Sequence, residues 1–354
     1  MEISAQLVKK LRDLTDAGMM DCKKALVETK GEIEKAVEYL REKGLSKAAK
    51  KADRIASEGV VSVEVASDFS KASLLEINSE TDFVAKNDTF KDLVQKSAKI
   101  VFDNELSEVS SLNTSVVDGT KFEEYLQQNI AKIGENIVIR RIDTIKVQGN
   151  AVVNGYVHSN GRVGVLIAIA YKKESSKAKA AELARNFCMH AAAMKPQVLS
   201  YTELDSEFIK QEKVALIAEL TKENEELQRL GKPLHKIPTY ISRSELTPAV
   251  LEQAKKDFEV ELQKQGKPEK IWEKIIPGQI ERFIADNTLI DQRLTLLGQF
   301  FVMDDKKTIA QVLENVGKEL GDELEITKYV RFELGEGIEK KVEDFASEVA
   351  MQMK

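Results

Sequence analysis

Apolar residues in the first 44 positions recur at helical spacing. Ser4 precedes Leu7, Val8, Leu11 and Leu14, and Asp16 precedes Met20, Ala25 and Leu26. A side-chain oxygen ahead of such a run is a helix-capping signal, so two short helices are predicted. Beyond Gly31, residues Ile33, Ala36, Val37 and Leu40 share one face, and Gly44 is expected to end this third helix. Three helices this short make a small bundle. The stretch GLSKAAKKADRIASEG that follows is poor in apolar residues and rich in lysine, and reads as a helical or flexible tether whose basic run is a solvated face or a binding surface.

At Gly59 the period changes to two. VVSVEVAS and KASLLEINSE alternate as strands do, TDFVAKNDTFKDLVQKSAKIVF turns helical, and NIVIRRIDTIKV reads as a third strand. The order returns in GNAVVNGYVHSNGRVGVLIAIAYKK, two strands around Ser159-Asn160-Gly161, followed by the helix SKAKAAELARNFCMHAAAM. The second unit starts about 90 residues after the first, too far for a solenoid, so a duplicated α+β core is expected. TLLGQFFVMDDKKTIAQVLENVG and ITKYVRFELGEG would add a strand, a helix and a strand to the second copy.

From Pro196 to about Asn287 the chain is helical and charged, and it carries a tighter repeat. Gly-Lys-Pro occurs at 231–233 and again at 266–268. The helical runs before them differ in length by one heptad, which keeps the apolar seam in phase: Ile209, Leu216, Leu220 and Leu227 in one, Leu251, Phe258 and Leu262 in the other. Thr247 and Pro248 suit the cap and first position of the second helix. An antiparallel helical (coiled-coil) arm is predicted. A last helix would place Ile338, Val342, Phe345, Val349 and Met351 on one face.

Composition narrows the function. A chain of 354 residues implies two or three domains, and 32% charged against 42% hydrophobic residues allows real cores under a solvated surface. The formal net charge of −6 speaks against neutralising a phosphate backbone, so no specific nucleic acid partner is expected. Cys22 and Cys188 lie far apart without CxxC spacing, and MEISAQLVKKLRDL contains no apolar run of signal or membrane length. A cytoplasmic protein without a membrane partner is expected. His158, His190 and His235 form no HExxH pair, and there is no GxxxxGK[ST], GxGxxG or GxSxG motif. The chain reads as no enzyme, with no cofactor and no metal.

Two short runs stand out. In Thr81-Asp82-Phe83-Val84-Ala85-Lys86-Asn87 an aromatic sits where strand gives way to helix. Either it is presented outward, or Asp82 caps the helix with Phe83 packed beneath as a staple. In Ala17-Gly18-Met19-Met20 two adjacent methionines occupy a turn where only one fits a small core, so they form either a partner surface or a loosely packed interior.

The runs LRDLTDAGMMDCKKAL at 11–26, INSETDFVAKND at 77–88, IGENIVIRR at 133–141 and RFELGEGIEKK at 331–341 together resemble the bacterial elongation factor Ts family across nearly the whole chain. The resemblance implies a multidomain α+β protein: a ubiquitin-associated-like three-helix domain with linker (1–54), two related core subdomains (55–145, and 146–196 with 288–334), a helical arm (197–287) and a C-terminal helical module (335–354). It implies a guanine nucleotide exchange factor that binds elongation factor Tu in its GDP-bound and nucleotide-free forms. Carried over by position, Thr81, Asp82, Phe83 and Val84 would dislodge the partner's magnesium, Phe83 as a wedge between two partner helices. Arg12, Met19 and Met20 would touch the partner's nucleotide domain; His158 would lie near the interface or be simply a solvated turn residue, and the last helix with Phe345 and Val349 would dock on the partner or pack back on its own core. The duplicated Gly-Lys-Pro unit departs from the usual single copy, leaving three readings: a longer hairpin without a new role, a self-association surface, or a contact with ribosome or polymerase-type partners. A pure adaptor remains a rival function, and the clusters KKAL, KAAKKADR and IEKK leave a route to RNA.

Overall fold

The computed structural model describes residues 3–15 and 17–339. Among these the chain divides into two compact units, one holding residues up to 170, 177–192 and 330 onward, the other 171–176 and 193–329.

The first unit opens with α1 (Ala5–Thr15), α2 (Met19–Glu28) and α3 (Ile33–Ala49). Leu11, Cys22, Ala25, Leu26 and Ala36 are fully buried among them. The Ser4 hydroxyl accepts from the Leu7 N–H at 3.2 Å, as expected. At α2 the cap position falls to Gly18, which has no side chain to offer, and Asp16 lies outside the described residues. Contrary to expectation, α3 runs through Gly44. A Cβ there would stand 3.4 Å from the Ala131 Cβ, so this glycine serves a close helix approach instead of a stop.

After the tether, β1 (Glu58–Val65) and β2 (Lys71–Ser79) form an antiparallel hairpin. The chain continues through α4 (Asp82–Ala85), α5 (Asp88–Asp103), α6 (Val109–Thr114), the minimal hairpin of β3 (Val116–Val117) and β4 (Thr120–Lys121), and α7 (Phe122–Ile133). It then returns as β5 (Ile137–Lys146) to pair with β2, giving the order β1-β2-β5. Strand alternation sends Leu75 and Ile77 toward Phe90 and Leu93 of α5, and Ala72 and Leu74 toward the second hairpin, β6 (Ala151–His158) and β7 (Val163–Ala170). Two glycines let these sheets approach. A Cβ at Gly155 would meet Val63 at 2.6 Å, and one at Gly164 would meet Val61 and Leu74 at 2.5 Å. Helix α8 (Lys177–Met194) follows, burying Phe187, Cys188 and His190.

In the second unit the internal repeat has a structural counterpart. Ser200 with Glu203, and Ser242 with Glu245, each close a capping box. Asp205 and Thr247 then cap α9 (Ser206–Arg229) and α10 (Pro248–Lys264), of 24 and 17 residues. Both helices end alike: Gly231 and Gly266 are left-handed, and the N–H groups of Lys232 and Lys267 donate to Leu227 and Leu262.

Beyond those glycines the copies diverge. The second folds back as α11 (Trp272–Asp286), with Phe283 edge-on to Phe258 at 6.4 Å. The first does not return as a helix, so the antiparallel helical pair forms in the second copy, between α10 and α11. Residues 232–239 are non-helical and pinned along α9, the His235 N–H donating to Asn224 at 2.6 Å. The reason is legible position by position: where α10 carries buried Ala254 and, against Phe283 of α11, Phe258, α9 carries Glu219 and Glu223, so the face that holds α11 on α10 is charged in the first copy.

The chain then passes through α12 (Leu289–Leu294), a hairpin of β8 (Phe300–Phe301) and β9 (Asp304–Thr308), α13 (Ile309–Leu320) and β10 (Glu325–Glu333). The single strand expected near Phe300 is thus a hairpin. With β10 the second sheet reads β10-β7-β6, so each sheet has the second strand of a hairpin at its centre and a later strand on its open side. Among the described residues no helix is long and apolar enough to cross a membrane.

Candidate partner-binding site

Strand β2 ends at Ser79, and the chain turns at once into the single turn α4. Its cap is Thr81, whose hydroxyl accepts from the Val84 N–H at 3.5 Å, not Asp82 as one of the two sequence readings had it. Successive helical residues point about 100° apart. Val84 therefore enters the core beside Phe90, while Phe83 points outward with 78% of its surface exposed. The staple reading is overturned.

An exposed phenylalanine on one isolated helical turn needs outside support, because so short a helix is not stable alone. The loop is held at several points. Thr81 donates its N–H and hydroxyl to the two carboxylate oxygens of Glu135, at 3.0 and 2.6 Å, and its carbonyl accepts from Ser79 at 3.0 Å. Lys86 pairs with Asp82 at 2.8 Å and lies 5.8 Å from the centre of the Phe83 ring. This ammonium holds the Asp82 carboxyl below the usual carboxylate range.

The turn carrying His158 belongs to the same end of the β1–β2 hairpin. The Gly161 carbonyl accepts from the Val61 N–H, and Arg162 pairs with Glu58, which lies opposite Ser79 in the register. His158 is exposed, its Nδ1 3.1 Å from the Tyr156 hydroxyl. Arg162, which sequence reasoning passed over, also acts electrostatically on Asp82.

In the N-terminal bundle Met19 and Met20 are 59% and 74% exposed, which removes the reading that both line a small interior. Arg12 is exposed as well. Leu14, expected on the buried face of its helix, is also exposed and lines a cavity of about 420 Å³ with Val37, Leu40, Lys43, Lys47 and Ala131. Phe345 and Val349 lie outside the described residues.

No group of three or more metal-ligating side chains occurs among the described residues. Cys22 and Cys188 are buried free thiols, and burial pushes the Cys188 thiol far above its usual range, so it is no nucleophile. What the geometry presents outward is apolar contact surface.

Comparison with known proteins places the chain among factors of translation elongation. The family model Elongation factor TS matches residues 80–237 and again 235–336, the break falling just after the first Gly-Lys-Pro. Curated relatives named Elongation factor Ts include those of Helicobacter hepaticus, 75% identical, Wolinella succinogenes, 76%, and Helicobacter pylori strain J99, 65%. Each is aligned over 352 residues, covering 99% of both chains. The chain belongs to the elongation factor Ts family. Membership implies a nucleotide exchange factor for elongation factor Tu and not a catalyst of covalent chemistry.

Proposed function

We propose that this chain binds GDP-bound elongation factor Tu in the cytoplasm, dislodges its magnesium through Thr81–Val84 with Phe83 as the wedge, and releases GDP so that GTP reloads the site. One observation carries the reading: a braced loop holds an aromatic ring in water, at 78% exposure. In P-loop GTPases the magnesium and the phosphate-loop dipoles hold the nucleotide, so displacing either weakens binding without contact to the base.

Burying Phe83 contributes roughly 1.5–3 kcal/mol, or about one to two decades in affinity, so further attachment is required. Exposed Met19, Met20 and Arg12 support a second point of grip on the nucleotide domain, and His158 a third contact beside the loop. Phe345 and Val349 are assigned to the same partner by position in the family. Residues 1–54, 55–145, 146–196 with 288–334, 197–287 and 335–354 serve as the working parts. Linkage makes the effect mutual: GDP weakens this chain's grip by the factor by which the chain weakens GDP. Exposed Leu230, Leu234 and Ile237 support placing any self-association on the arm, to be read by sedimentation of a Leu230→Glu variant.

The test is release of fluorescent GDP from elongation factor Tu in millimolar magnesium, with the native chain and with Phe83→Ala. Strong acceleration by the native chain and a much slower variant are expected. Binding without acceleration would replace exchange by the adaptor reading.

A further inference from the structure

The turn Gly134-Glu135-Asn136 joins α7 to β5 and contributes little to either hydrophobic core. It is nonetheless the place where two distant segments are tied. Gly134 ends α7 in the left-handed conformation, which turns the chain sharply and aims the next two side chains in different directions. Glu135 takes the wedge loop: both of its carboxylate oxygens are occupied by Thr81, one by the backbone N–H and one by the hydroxyl. A charged, two-pronged acceptor on one residue fixes orientation as well as distance. Asn136, 3% exposed, takes the tether: its side-chain amide donates to the carbonyls of Ala52 and Arg54, at 3.3 and 2.7 Å.

The two grips are cross-linked. The Asn136 N–H donates to Glu80 at 2.6 Å, Glu80 pairs with Arg54 at 3.5 Å, and Lys51 donates to the Gly134 carbonyl. The residue before the wedge loop, the turn, and the end of the tether from the methionine-bearing bundle thus form one hydrogen-bonded strut. α4 has no comparable support of its own, since Val84 is its only buried residue.

We infer that Glu135 is a positioning residue for exchange: it holds Thr81 so that Phe83 is presented in a fixed direction, and through Asn136 it keys that direction to the tether of the N-terminal bundle. The inference rests on the reading of Phe83 as the wedge. Without the clamp, Phe83 still reaches the partner, but the loop must be ordered at the moment of insertion. The loss then falls on the saturating rate of GDP release more than on the amount of factor needed for half-saturation.

The test uses the full chain and elongation factor Tu loaded with fluorescent GDP, comparing Glu135→Ala, Glu135→Gln, Thr81→Ala, the Glu135→Ala/Thr81→Ala double variant and Phe83→Ala. Thermal melting of each is recorded alongside. Glu135→Ala is expected to lower the saturating release rate about tenfold, the scale of losing hydrogen bonds to a charged acceptor. Half-saturation and melting temperature should change little. Glu135→Gln, which still accepts one hydrogen bond from Thr81, should recover most of the rate, and the double variant should be no slower than the worse single one. The inference is overturned if Glu135→Ala releases GDP at the native rate, if its loss lies wholly in half-saturation or in melting, or if the two single losses add. Native-like release by Phe83→Ala overturns the wedge reading itself, whatever Glu135→Ala does.

Discussion

The carboxylate of Glu76, with no surface exposed, accepts the backbone N–H of Gly335 at 2.8 Å across 259 positions of sequence. Gly335 sits at φ 71°, and a Cβ there would lie 2.5 Å from the Ser57 carbonyl oxygen, so no other residue fits without displacement. The same carboxylate accepts from Arg140 at 3.0 Å and from Arg141 at 2.5 Å. Glu76→Gln keeps the volume and removes the charge facing two guanidinium groups. Because those groups are about a quarter exposed, a loss of about 2–3 kcal/mol is expected, less than for a fully buried pair. The urea midpoint of the variant measures it.

Gly164→Ala puts a methyl group 2.5 Å from Val61 and Leu74, where two packed strands leave no room. Overpacking of this kind costs about 1–3 kcal/mol. Gly119, whose Cβ would meet nothing within 4 Å, is the control for crowding, although its φ of 80° brings backbone strain of its own. Calorimetric melting of Gly164→Ala should fall below that of the native chain, and replacing Val61 by Ala in the same chain should restore part of the difference.

The double substitution Met19→Ser/Met20→Ser alters only exposed side chains, so stability should stay within about 0.5 kcal/mol of native. On the function proposed, affinity for nucleotide-free elongation factor Tu should fall by about tenfold or more, since each methionine would bury apolar surface in the complex. Calorimetric titration reads the affinity. Native affinity would remove the second grip from the mechanism.

Asp322 ties a loop by accepting from the Ser176 hydroxyl at 2.6 Å and from the N–H groups of Lys172 and Lys173. These bonds, the Ser176 hydroxyl first, hold its carboxyl down to about 2, against an ordinary 3.8. A folded-state value below the unfolded one means the stabilisation is complete above pH 3.8 and is lost as pH falls toward 2. Urea midpoints at pH 5 and pH 2.5 should therefore differ less for Asp322→Asn than for the native chain, and the variant should be the weaker at pH 5.

Trp272, the one tryptophan of the chain, begins α11 and donates its indole N–H to the Lys267 carbonyl at 2.9 Å. It reports on the arm alone. Phe258→Ala removes the edge-on contact with Phe283, worth about 0.5–1.5 kcal/mol beyond buried area. Trp272 fluorescence should then change at lower urea than circular dichroism of the whole chain.

Much of this fold is legible in the sequence because it is written in local periodicity. Alternation marked β1, β2, β5, β6 and β7, and the matched Gly-Lys-Pro ends of α9 and α10 announced two identical helix stops. Other features depend on neighbours that no local pattern names. Gly44 looks like a stop and is a contact, because Ala131 lies 87 positions further on. Helices α6 and α7 went unread. The six-residue α6 is too short to show a period, with Leu112 its one buried residue, whereas Phe122, Leu126, Ile130 and Ile133 of α7 do recur at helical spacing and mark a helix the pattern could have given. At the candidate site Phe83 was visible as an aromatic at a junction, but the direction it faces was not. That direction is set by Glu135, 54 residues beyond Thr81, and a lone glutamate after a helix-ending glycine carries no signal of its own.

The two capping boxes at Ser200 and Ser242 lie against each other, and the second is anchored by Asp291, which accepts from the Ser242 hydroxyl at 2.8 Å and the Arg243 N–H at 2.6 Å. Residues 200–241 therefore leave and re-enter the fold at one spot, as an excursion with its own start signal and its own end. A segment of that kind has the boundaries of a cassette in the genetic sense, both ends at one place, and what ties it to the rest is the apolar face by which Ile209, Leu216 and Leu220 cover Ile290.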